Sequence, residues 1–181
     1  MSNPIENSYW VVPDILLAGE HPGDPGDEVT RNSLRRLLVC GVSQFVDLTT
    51  KDELPSYEAL LNEEAESLGV EVVYSNHPVR RQGIPRSPVQ TGAIIREIVA
   101  AAANGMTTYL HGAAGVGRVG LVVGCFLVES GLSGHRALNK LQILYSAMEK
   151  SAWEPDIPET EQQSDYVRDW KAGQHVEKSG E

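Results

Sequence analysis

The chain has 181 residues, of which 41% are hydrophobic and 22% charged, and its formal net charge is −10. Length and composition fit one globular domain with a substantial core, and the charge argues against nucleic acid or an anionic membrane surface as a partner of the whole molecule. Cys40 and Cys125 sit in apolar surroundings and read as core thiols, MSNPIENSYW lacks the features of a signal peptide, and no run is long enough for a membrane span, so a cytoplasmic setting is expected.

In chain order, YWVVPDILLAG (9–19) reads as a strand region broken by Pro13, followed by a turn-rich loop, HPGDPGDE. A helix is predicted from about Asp27 to Cys40, with Leu34, Leu37 and Leu38 as its buried stripe and Gly41 as its stop. Val42 to Leu48 is a buried strand that runs out through Thr49, Thr50, Lys51 and Asp52. Pro55 to Leu68 is an acidic amphipathic helix, with Leu60, Leu61, Ala65 and Leu68 inward and Gly69 as its cap. A strand over Val70 to Tyr74 leads to the loop RRQGIPRSP, which places Arg80, Arg81 and Arg86 within seven residues. Ser87 and Pro88 open a helix reaching Ala103, and the strand TTYLH (107–111) follows. After Gly131, Ser133 opens a helix whose Ala137, Leu138, Leu141, Leu144, Tyr145 and Met148 share one face. A last helix spans Pro158 to Trp170. The domain is expected over residues 1–171, with a disordered polar tail over 172–181.

Between TTYLH and the apolar helix opening near Arg118 lies a loop of small residues, Gly112, Ala113, Ala114, Gly115, Val116 and Gly117. A strand, a small-residue loop and a helix N-terminus turn successive backbone N–H groups toward one point, where an anion is favoured. Arg118 adds a guanidinium suited to two parallel bonds with phosphate. The Walker A pattern fails here because Arg118 and Val119 stand where lysine and a hydroxyl residue belong. Gly115, Gly117 and Gly120 match G-x-G-x-x-G, but no strand with an acidic end follows the helix, so a dinucleotide is not expected.

HGAAGVGRVG resembles the signature of cysteine-dependent tyrosine and dual-specificity phosphatases, H-C-x-x-G-x-G-R-[ST]-G. His111, Gly115, Gly117, Arg118 and Gly120 fall on its positions; Gly112 stands where the nucleophilic cysteine belongs, and Val119 replaces the hydroxyl residue. In related bacterial sequences the general acid lies in P-[IV]-R-D-x-G-[VI]-P. The corresponding run, Pro78 to Pro85, keeps Arg80 and carries Arg81 at the acid position. The resemblance implies a single α/β domain, with a mostly parallel central sheet flanked by helices. It also implies that His111 supports the loop and that Gln163 takes the place of a water-positioning glutamine.

Without a thiol there is no covalent catalysis, and loss of a general acid alone costs about 10²–10⁴ in rate. Removing the thiolate and the acid also removes negative charge from the site. The expectation is a pseudophosphatase that binds a phosphorylated protein or a small phosphate or other oxyanion without turnover, with no cofactor or metal. Vertebrate serine/threonine/tyrosine-interacting pseudophosphatases likewise carry glycine at this position. Two alternatives stand beside it: an active phosphatase whose nucleophile was substituted, and a scaffold in which a neighbouring acid neutralises Arg118 while another surface works.

Overall fold

The computed structural model describes residues 3–23 and 26–173. Its strands are β1 (Ser8–Val12), β2 (Leu16–Glu20), β3 (Val42–Asp47), β4 (Val73–Asn76) and β5 (Thr107–Gly112). They form a five-stranded sheet in the order β1-β2-β5-β3-β4. Only the edge pair β1–β2 is antiparallel; β5 runs parallel to both β2 and β3, and β4 parallel to β3.

Strand alternation divides the core in two. Leu17, Phe45 and Tyr109 point to one face, where Leu34, Leu37 and Leu38 of α1 (Asp27–Val39) and Leu61 and Ala65 of α2 (Glu58–Leu68) cover them. Leu16, Ala18, Val46 and Leu110 point to the other. There they meet α3 (Pro88–Ala103), α4 (Gly117–Glu129), α5 (Gly134–Tyr145) and α6 (Glu161–Asp169). Every residue of α4 from Gly117 to Val128 is buried, which explains why that helix is apolar on all sides. Among the described residues, no helix is long and apolar enough to cross a membrane.

The predicted elements are present, with local corrections. The region around Pro13 is a hairpin of two strands, closed by Asp14 at φ 59° and an Ile15 N–H to Val12 carbonyl bond. The strand expected over 70–74 lies at Val73–Asn76, because Val70 belongs to the preceding helix cap. Gly69 is left-handed and the Val70 N–H donates to the Ala65 carbonyl, which closes the helix and delays the strand. Leu68 faces solvent (42% exposed), not the core. The buried face of α2 instead includes Glu64, paired with Arg31 and Arg35 of α1. Cys125 is a core thiol, whereas Cys40, at the end of α1, is only half-buried. Ser87 caps α3 with Pro88 in its first turn, as predicted. Of the polar tail, residues 174–181 lie outside the described residues.

Candidate functional site

The central strand β5 delivers the chain to the loop, and α4 carries it away. Gly115 has φ +74°, and a Cβ there would stand 2.5 Å from the backbone carbon of Gly19. The loop therefore packs directly on the end of β2, which only glycine permits. Its carbonyls are tied from outside: that of Ala113 accepts from the His21 N–H at 3.2 Å, and that of Ala114 from Lys150 Nζ at 3.0 Å. Lys150, on a short 3₁₀ turn, also binds Glu20 at 2.7 Å. The amides of residues 113–119 donate to no acceptor among the described residues. Residues 112–119 line a cavity of about 570 Å³.

Arg118 is buried and its charge is already matched. Nη1 and Nη2 donate to the two carboxylate oxygens of Glu53 at 2.8 and 2.7 Å. Nη1 also reaches the carbonyls of Val79, at 3.0 Å, and Leu48, at 3.3 Å. The paired arginine holds the Glu53 carboxyl at about 2, against an ordinary 4.5, in spite of partial burial. The parallel pair of bonds expected for a ligand is thus made to Glu53. What faces the loop is the other edge of the guanidinium: Nε lies 3.6 Å from the position a Cβ on Gly112 would take, and its N–H has no acceptor among the described residues.

Gly112 leaves room for a side chain. A Cβ there would meet Val119 at 3.5 Å and the Arg118 guanidinium at 3.6 to 3.8 Å, all ordinary contacts. His111 is fully buried behind the loop, its Nε2 sharing a hydrogen bond of 2.6 Å with the Tyr57 hydroxyl. Burial lowers its pKa from 6.5 to about 4, and the Asp47 carboxylate, 3.8 Å from Nδ1, only partly opposes this. His111 is therefore neutral at physiological pH. Cys125 is sealed in the core, where burial pushes its thiol well above the ordinary range.

The cavity mouth has two walls. One carries Arg81 and Gln82, both exposed; the other carries Glu154, Pro155, Asp156 and Glu159. Gln82 Nε2 bridges the walls to Glu159 at 2.9 Å. Gln163 is fully buried, not on the helix surface. Its side chain completes a capping box with Thr160 and donates to the Gly83 carbonyl at 2.9 Å, so it fixes the Arg81 turn to the start of α6. Arg80 is exposed and does not line the cavity. Trp153, 65% exposed, immediately precedes Glu154.

Sequence reasoning missed Glu53, Lys150 and the three rim carboxylates. Glu53 follows the carboxyl end of β3, the strand beside β5, which is what brings it to the loop. The carboxylates carried no signal, because the path of residues 149–160 depends on how α5 and α6 pack.

Fold and loop define a phosphatase domain of the dual-specificity and protein tyrosine type. The family model described as PTP-SAK, Swiss Army Knife protein, DSP-PTPase phosphatase domain, matches residues 5–169, and the chain belongs to that family. No curated protein sequence matches the chain. Solved structures share its fold. Kinase associated phosphatase (KAP), with its catalytic site cysteine substituted by serine, superposes with TM-score 0.64 at 22% identity, covering 84% of this chain and 83% of that one. PTPMT1 in complex with PI(5)P gives 0.66 at 18%, covering 91% and 94%. TpbA from P. aeruginosa, in complex with pTyr, gives 0.63 at 20%, covering 93% and 87%.

Proposed function

We propose that this protein is a catalytically deficient member of its family, a pseudophosphatase that holds a phosphorylated ligand in loop 112–118 without hydrolysing it. The observation that carries the reading is the loop itself: residues 112–119 line a cavity and the amides of 113–119 have no acceptor among the described residues, while the nucleophile position is Gly112 and the acid position Arg81. His111, Val119 and Gln163 act as supports. Fold neighbours are seen with pTyr and PI(5)P, and the same chemistry, a phosphate monoester dianion, is the ligand proposed here.

Two measurements test it. The purified protein hydrolyses an aryl phosphate no faster than Arg118→Ala; turnover clearly above that control establishes an active phosphatase. Inorganic phosphate raises the melting temperature of the wild type, about 2.7 kcal/mol being gained at 100 times the dissociation constant. The ion pair of Arg118 with Glu53 favours a second reading, in which the loop is a relic and another surface works. That reading holds if neither inorganic phosphate nor a phosphate monoester shifts the melting temperature of the wild type.

A further inference from the structure

The charge at the cavity mouth is of the wrong sign for a bare phosphate. Glu154, Asp156 and Glu159 line it against one exposed arginine, Arg81, and Arg118 at the floor is already matched by Glu53. A volume of about 570 Å³ exceeds a single phosphate group and falls within the roughly 300–1,000 Å³ of small-molecule sites. At the floor, loop amides and the Nε–H of Arg118, a side chain only 6% exposed, lack acceptors among the described residues. Donors and carboxylates thus share one cavity: Glu154 and Asp156 are exposed on its wall, and Glu159, which accepts from Gln82, has its other oxygen 2.8 Å from where a Cβ on Gly117 would stand. Among the described residues no three His, Cys, Asp or Glu side chains are grouped to hold a metal ion.

We infer that the ligand is a phosphate monoester that carries its own positive charge, with phosphate at the loop and an ammonium or guanidinium group at the rim. The inference rests on the proposed phosphate-binding reading and deepens it. A lone dianion approaching a chain of net charge −10 meets three lining carboxylates, that of Glu159 beside Gly117 of the loop itself. An adjacent cation turns that repulsion into attraction. A small phosphorylated amine offers this chemistry, and so does a phosphorylated residue flanked by arginine or lysine.

Calorimetric titration under one buffer condition tests it with four probes: phenyl phosphate, O-phosphoethanolamine, and two phosphotyrosine peptides differing only in arginine or glutamate flanks. Each is measured on the wild type and on the triple variant Glu154→Gln/Asp156→Asn/Glu159→Gln. These residues are exposed and the replacements keep their shape, so the fold is preserved. A cation-bearing probe is expected to bind the wild type at least fivefold more tightly than phenyl phosphate, and the triple variant to erase that preference. Preference for O-phosphoethanolamine identifies a small amine as the source; preference for the arginine-flanked peptide identifies a protein. If phenyl phosphate binds as well as both cationic probes, or the preference survives in the triple variant, the inference fails and the proposed function stands. If no probe binds, both fail.

Discussion

Two residues at the cavity floor have opposite kinds of latitude. Gly112 has space around it, so Gly112→Cys should fold with unchanged stability. The loop amides and helix N-terminus should then hold the new thiol in its reactive thiolate form near neutral pH. Peptide mapping after brief alkylation at pH 7 should find position 112 modified ahead of Cys125, which is buried; a protected thiol at 112 would mean the amides do not converge there. Arg118 has no such freedom. Glu53→Gln leaves a buried guanidinium without its counter-charge, which should cost about 1–3 kcal/mol in urea unfolding. The same change should tighten phosphate binding, because the charge Glu53 now neutralises is released toward the loop. Unchanged affinity in Glu53→Gln would show that the guanidinium does not contribute to the anion site.

At the level of elements, the loop depends on β2 as much as on its own strand and helix. Gly115→Ala forces a side chain into left-handed backbone and into contact with Gly19. A loss of roughly 1–3 kcal/mol is expected, and with it the phosphate-induced thermal shift. A melting temperature equal to the wild type would mean that the loop is free to move off β2. The strand–loop–helix unit was legible because small residues separate two apolar runs, and the Ser87–Pro88 start of α3 because the cap chemistry is local. β4 was misplaced by three residues because VEVVY alternates equally well in either frame; pairing with β3 and the cap at Gly69 decide it. Contacts made across the sheet, such as Glu53 to Arg118 over 65 positions, leave no periodic trace in sequence. For Gln163 the capping box with Thr160 is a local pattern three residues apart, whereas its bond to the Gly83 carbonyl, 80 positions away, could not be read from sequence.

For the whole molecule, the buried histidine and the paired carboxylate set the response to acid. A neutral His111 must gain a proton in a dry site, so the unfolded chain binds that proton more readily. Stability is full above 6.5 and falls as pH drops toward about 4. The Glu53 contribution is full above 4.5 and falls as pH drops toward about 2. At about 1.4 kcal/mol per tenfold change in proton affinity, each is worth at most roughly 3 kcal/mol. Urea unfolding between pH 7.5 and 5 should therefore lose stability, and His111→Gln should flatten that part of the curve; an unchanged slope would remove His111 as the cause. The tryptophans divide along the same line between interior and rim. Trp10 and Trp170 are 8% and 7% exposed, whereas Trp153 is 65% exposed and adjoins Glu154. Iodide should quench the emission of Trp153 and spare the other two, so the red-shifted component of the protein's own fluorescence reports on the cavity mouth while the blue component reports on the core, without any attached dye.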